Sequence, residues 1–214
     1  MDVLAKNFDK AYPALKSKRF DGGCSIVEPK NYGTAKFQKV TLTGIAGYAF
    51  PHEFMGKASS FADIANHTGV LTLDCDGVVL FEYDGQKYIL LCELKSGYIC
   101  DDIVHAKNQI IGSSVKMHGL LNTLQGFDRS DFKTVGLIVS FEPTEEQKTN
   151  LSKNEDRKSV FATRLQADRK YQMPAGKTNS FFHPLNVGDL DLFYLPVPDR
   201  NTTYTVDIRS ILGL

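Results

Sequence analysis

The sequence predicts an α/β fold, a mixed sheet flanked by helices, on three observations. Strand-like runs follow one another at 70–76, 78–83 and 87–95, with Asp84-Gly85 as a hairpin turn between the second and third. A helix follows at 100–124, where Ile103, Ala106, Ile110, Ser114, Met117, Leu121 and Leu124 recur at three- and four-residue intervals along one face. The mostly apolar run FKTVGLIVSF at 132–141 then reads as a buried strand. Elements in this order bury the sheet face beneath the long helix.

The remaining elements are placed by the same rules. Residues 2–17 read as an amphipathic helix carrying Val3, Leu4, Phe8 and Ala11 or Tyr12 on one face, broken or kinked at Pro13. Residues 20–34 hold Gly22, Gly23, Pro29 and Gly33 and read as a loop. Residues 36–49 read as one strand with Phe37, Val40, Leu42 and Ile45. Residues 53–67 read as a helix with Phe54, Phe61, Ile64 and Ala65, stopped by Gly69. Gly126 ends the long helix. A polar, charged stretch runs from 142 to about 180, and strands are expected at 189–197 and 203–208. One domain spans 1–214, with a core at about 53–141, an N-terminal region at 1–50 and a C-terminal extension at 142–214.

Composition narrows the function classes. Lysine plus arginine equal aspartate plus glutamate at 25 each, so no global field attracts a polyanion and any such binding needs a local patch. One candidate is Lys153, Arg157, Lys158, Arg164, Arg169, Lys170 and Lys177. Cys24, Cys75, Cys92 and Cys100 form no CxxC pair, which argues against a zinc site; Cys75 and Cys92 lie in apolar runs and are expected in the core. The N-terminal stretch lacks the apolar run of a signal peptide, and no run approaches transmembrane length. The expectation is a cytoplasmic chain with no membrane partner. No GxxxxGK[ST] is present to suggest a motor.

Chemistry concentrates between Leu71 and Leu121. Asp76 ends one strand-like run. Tyr88-Ile89-Leu90-Leu91-Cys92 leads into Glu93-Leu94-Lys95, where alternation places Glu93 and Lys95 on one face and Cys92 and Leu94 on the other. Asp76 and Glu93 would hold a hard cation, with the Leu94 carbonyl as a further oxygen ligand. Lys95 would orient or deprotonate the attacking water, or steady the phosphate. Two carboxylates about 4 Å apart repel by roughly 4 kcal/mol at an effective dielectric near 20, so a cation between them is favoured. Asp74 shares the period-two face with Asp76 and is its rival. On the long helix, Asp102, His105, Gln109, Ser113 and Lys116 form a polar stripe. His105 is placed to touch substrate, and Lys107 and Lys116 are candidates for nucleic-acid backbone contacts. Tyr98, just beyond Lys95, is a candidate for stacking on a base.

An aspartate-bearing strand, a hairpin, a strand ending in Glu-x-Lys and a long helix resemble the core of the PD-(D/E)xK nuclease superfamily, which has the restriction-endonuclease-like fold. Asp76 in CDGVV and Glu93 and Lys95 in CELKSG carry the resemblance, over about residues 53–141. Gln109 in AKNQIIGSS stands where the nuclease domains of type I restriction motor subunits begin a Q-xxx-Y motif. Ser113 replaces that tyrosine, and Cys75 replaces the proline before the aspartate.

The resemblance implies a nuclease dependent on Mg2+ or Mn2+, hydrolysing phosphodiester bonds in nucleic acid, DNA above all, by metal-activated water. Asp76, Glu93, Lys95 and Gln109 would be catalytic. A further glutamate from the helix before the aspartate strand is common in the superfamily; Glu53 in PHEFMG fits it first and Glu28 second. A homodimer would suit cleavage of both strands of a duplex, and a larger complex would suit a module of restriction or repair. The alternative is a catalytically inactive module of the same fold that binds nucleic acid or a protein partner.

Overall fold

The computed structural model describes residues 1–28, 37–50, 72–153, 156–173, 188–198 and 202–214. The chain begins with helix α1 (Asp2–Ala11) and a 3-10 turn (Pro13–Leu15), then strands β1 (Lys18–Phe20), β2 (Gly23–Val27), β3 (Lys39–Thr43) and β4 (Gly47–Phe50). Strands β5 (Gly77–Tyr83) and β6 (Gln86–Lys95), helix α2 (Cys100–Leu121) and strand β7 (Phe132–Phe141) form the middle. Helices α3 (Glu145–Lys153) and α4 (Arg157–Asp168), strands β8 (Lys170–Met173), β9 (Leu190–Val197) and β10 (Thr203–Asp207), and helix α5 (Ile208–Leu212) follow.

The strands form a mixed seven-stranded sheet, ordered β1-β4-β5-β6-β7-β9-β8, and a three-stranded sheet, ordered β10-β3-β2. β6 and β9 run parallel to β7, and the other pairs of the large sheet are antiparallel. The expected α/β class with helices flanking a mixed sheet is therefore present. The second sheet adds a third layer.

Alternation along β6 builds both cores. Ile89 and Leu91 pack beneath Leu4 and Phe8 of α1, Ile103 and Ile110 of α2 and Phe161 of α4. Leu90, Cys92 and Leu94 pack on the other face against Val40 and Leu42 of the small sheet and Ile208 of α5. Cys75 and Cys92 are free and buried, as expected, and Cys24 is free and buried too. Glu93 continues the helix-facing series, so its carboxylate is carried beneath α2.

The break expected at Pro13 is present: the first helix stops at Ala11, and Pro13 opens a separate turn. Three expectations change. The loop expected at 20–34 contains β2, where Cys24 and Ile26 are buried and Ser25 and Val27 exposed: a two-residue period between glycines. The single strand expected over 36–49 is two strands in different sheets, separated at Gly44, whose φ of +83° suits glycine. The strand expected at 70–76 is absent over 72–76, which is an irregular lead-in to β5. The helix expected at 53–67 and Gly69 lie outside the described residues.

The hairpin between β5 and β6 is as expected. Tyr83 pairs with Gln86 across Asp84 and Gly85, which have φ of 49° and 76°. Two consecutive left-handed residues match the right-handed strand twist, and Asp-Gly tolerates them. Gly77, by contrast, serves close packing. A Cβ there would meet three side-chain atoms of Ile26 at 2.8–2.9 Å. Its absence lets β2 approach the start of β5.

Candidate active site

β5 starts at Gly77, opposite Cys92, so β6 runs on past it without a strand partner on that side. Asp76 occupies this gap. Its Oδ2 accepts the Leu94 amide proton at 2.7 Å, replacing the carbonyl that a longer β5 would have offered. Its own amide donates to Glu93 Oε2 at 3.2 Å. In strand geometry the N–H and C=O of one residue face the same neighbour, so the Leu94 carbonyl opens on the Asp76 side.

Glu93 is 2% exposed, and Lys95 donates from Nζ to its Oε1 at 2.7 Å. The Lys95 ammonium also donates to Gln109 Oε1 at 2.8 Å. Gln109 returns to the other strand, its Nε2 donating to the Asp74 carbonyl at 2.8 Å. The sequence-predicted residues Asp76, Glu93, Lys95 and Gln109 thus converge, linked through β6, α2 and the 72–76 lead-in.

Glu28, the second-choice glutamate, also reaches this cluster. It follows Ile26 by two positions, on the face that Gly77 admits, and its side chain hydrogen-bonds Asp76. Burial first, then the Asp76 carboxylate, push the Glu28 carboxyl up to about 7. Burial and Asp76 likewise hold Glu93 well above the usual carboxylate range, against the pull of Lys95. Among the described residues three carboxyl groups, Glu28, Asp76 and Glu93, thus stand close to the Lys95 ammonium. Glu53 lies outside the described residues.

The other candidates fall into two groups. His105 is exposed on α2, and burial of its ring and the nearby Lys95 ammonium lower its pKa. Asp74 lies in the lead-in with its carboxylate on Lys116. The remaining three turn away from any substrate. Lys116 is buried, and its ammonium binds Leu73 O at 3.0 Å and the Asp74 carboxylate, which leaves it no surface for a phosphate. Lys107 lies over the Phe161 ring, 4.9 Å from its centroid, with burial lowering its pKa. Tyr98 is 1% exposed, donates to Ala162 O at 2.7 Å and packs on Tyr194 at 4.7 Å, so no face remains for a base.

In the expected basic stretch Lys153, Arg157, Lys158, Arg164 and Lys170 are exposed and Arg169 is half-buried; Lys158 pairs with Asp101, Lys170 with Asp191, and Arg169 lies 3.8 Å from Glu142. Lys177 lies outside the described residues.

Among the described residues, no three His, Cys, Asp or Glu side chains stand together at metal-ligand spacing. The donors that do converge are hard oxygens: the Asp76 and Glu93 carboxylates and the Leu94 carbonyl. That set suits magnesium, which takes one or two carboxylates and keeps several waters. Burial raises Glu93 most and the Asp76 carboxylate next; a divalent cation there would offset that second, repulsive part. Among the described residues no helix is long and apolar enough to cross a membrane. No family model, no curated protein and no solved structure matches the chain.

Proposed function

We propose that the protein is a divalent-metal-dependent nuclease with a restriction-endonuclease-like core, hydrolysing phosphodiester bonds, DNA first among its substrates. One observation carries this reading: Asp76, Glu93 and Lys95 meet at the unpaired end of β6, with Gln109 holding the Lys95 ammonium. Asp76, Glu93 and the Leu94 carbonyl would hold Mg2+ or Mn2+. A cation bound there supplies charge to polarise the phosphodiester and to acidify a water.

The chain's own residues do the rest. Lys95, fixed between Glu93 and Gln109, presents a compact positive charge to the phosphate. Its two donated hydrogen bonds fix the ammonium where it can orient the attacking water. Water adds to phosphorus as the bond from phosphorus to the departing ester oxygen breaks; the proton of the attacking water passes to solvent, and a solvent water protonates the departing oxygen. His105 is exposed and close enough to feel the Lys95 charge, which makes it a candidate for substrate contact. DNA is favoured by the likeness of CDGVV and CELKSG to the superfamily, and a homodimer would present two such sites to a duplex.

The test is cleavage of labelled single-stranded DNA, double-stranded DNA and RNA with magnesium, manganese or EDTA, comparing the native chain with Glu93→Ala and Lys95→Ala. Metal-dependent cutting lost in both variants supports the reading. Binding without cutting under every condition replaces it with an inactive nucleic-acid-binding module.

A further inference from the structure

The lead-in to β5 has no strand neighbour over 72–76, yet Asp76 must stand opposite Leu94 to within a hydrogen bond. Something else fixes this backbone. Gln109, Ser113 and Lys116 lie at i, i+4 and i+7 on α2, one stripe of a helix. Each engages the lead-in. Lys116 Nζ donates to Leu73 O at 3.0 Å and pairs with the Asp74 carboxylate. Gln109 Nε2 donates to Asp74 O at 2.8 Å. Ser113 Oγ accepts the Cys75 amide at 2.9 Å. The backbone of Leu73, Asp74 and Cys75 is thus held residue by residue, as a neighbouring strand would hold it.

We propose that Ser113 and Lys116 are positioning residues: they hold the backbone of residues 73–75 against α2 and so set Asp76 over the Leu94 amide. The burial of Lys116 follows from this role. A lysine is rarely buried unless paired, and here its ammonium meets a carbonyl and a carboxylate of the same short segment. Ser113 suits the role because it is small, fully buried and able to accept. A tyrosine at that position could not place an oxygen so close to the helix. The inference deepens the metal-nuclease reading, because Asp76 would be a ligand there, but the placement of Asp76 is measurable without metal.

The experiment is native-state amide hydrogen exchange by NMR on the wild-type chain, Lys116→Met, Lys116→Arg and Ser113→Ala, alongside Mn2+ titration. In Lys116→Met the Leu94 amide should exchange about tenfold faster, the loss of roughly one charge-assisted hydrogen bond's restraint. The Ile138 amide, in the middle of β7, should be unchanged. Ser113→Ala should speed Cys75 and Leu94 in the same pattern, and Lys116→Arg should restore most of the protection at Leu94. Mn2+ affinity should fall in parallel. Leu94 exchanging at the wild-type rate in both Lys116→Met and Ser113→Ala overturns the positioning role. A wild-type chain that takes up no Mn2+ overturns the metal reading instead, and Leu94 exchange still decides this inference.

Discussion

The Asp76 carboxylate closes the open edge of the strand that carries Glu93, its Oδ2 accepting the Leu94 amide proton at 2.7 Å. One side chain therefore ends a sheet ladder and, in the proposed reaction, binds a cation. The two tasks separate by substitution. Asp76→Asn keeps an acceptor oxygen but loses the charge, so folding should persist while Mn2+ affinity falls by at least about tenfold, as expected from losing a charged ligand. Asp76→Ala leaves the Leu94 amide unsatisfied and should also cost about 1–3 kcal/mol in urea unfolding. Equal Mn2+ binding by Asp76→Asn and the native chain would remove Asp76 from the ligand set.

The crowded carboxyls make a prediction about pH. Glu28 is raised to about 7 and Glu93 is raised in the same direction. A carboxyl whose pKa is higher in the folded chain binds more protons there than in the unfolded chain. Stability therefore falls as pH rises from about 4.5 through about 7. Metal-free protein should unfold at lower urea at pH 8 than at pH 5.5, and Glu28→Gln should flatten the difference. Excess Mg2+ should restore stability at pH 8. A midpoint that climbs over this window would contradict the electrostatic account.

Removing a repelling charge should stabilise the metal-free chain. Glu93→Gln keeps the volume and an acceptor for Lys95, so at pH 8 without metal its Tm should exceed that of the native chain by a few degrees, consistent with about 1 kcal/mol. The same variant should lose at least about a hundredfold of any metal-dependent cleavage, the scale of a positioned electrostatic group. Thermal melts with and without Mg2+ read both effects. A lower metal-free Tm would mean that Glu93 is held by its partners more than it is repelled.

Gly77 tests whether the second layer sets the site. Gly77→Ala should destabilise by about 1–3 kcal/mol, because the new methyl overlaps Ile26. It should also push Glu28 away from Asp76. In an Ile26→Ala background, which is itself destabilised by the lost core side chain, Gly77→Ala should cost much less than it does in the native chain. Strictly additive penalties would place the strain elsewhere.

His118 governs the acid side. Its Nε2 pairs with Thr134 Oγ1 at 2.8 Å, and burial, with Arg129 nearby, depresses its pKa to about 4. A histidine kept neutral contributes stability that is fully present above about 6.5 and is lost as pH falls toward 4. His118→Gln should weaken that acid dependence, read from unfolding midpoints at pH 4.5 and 6.5.

Much of the site was legible because it depends on local periodicity. Glu93 and Lys95 share a face through strand alternation, and Gln109 lies on the helix face that the apolar spacing of α2 turns toward the sheet. The residues that were misread depend on packing between layers. Glu28 follows a glycine-rich stretch that suggests a loop; the buried-exposed rhythm of Cys24, Ser25, Ile26 and Val27 was the available signal. For Lys116 and Tyr98, a polar stripe and an aromatic near Lys95 suggest an outward role toward the substrate. Both point inward, since the strandless lead-in needs donors and Tyr194 offers a ring to pack on. The strand expected at 70–76 failed for the same reason: α2 side chains, rather than a β partner, satisfy its backbone.

The parallel pairing of β10 with β3 bears on how the protein is made. Thr43 and Val206 meet across 163 positions of chain. Until residues 203–207 leave the ribosome, β2 and β3 are a two-stranded ribbon, which is marginal in water by itself. The large sheet's central strands and α2 can associate earlier, from contacts much closer in sequence. The carboxyl that β2 brings to Asp76 is thus locked in place last, so a nascent chain would carry Asp76, Glu93 and Lys95 while still lacking the layer that holds Glu28 beside them.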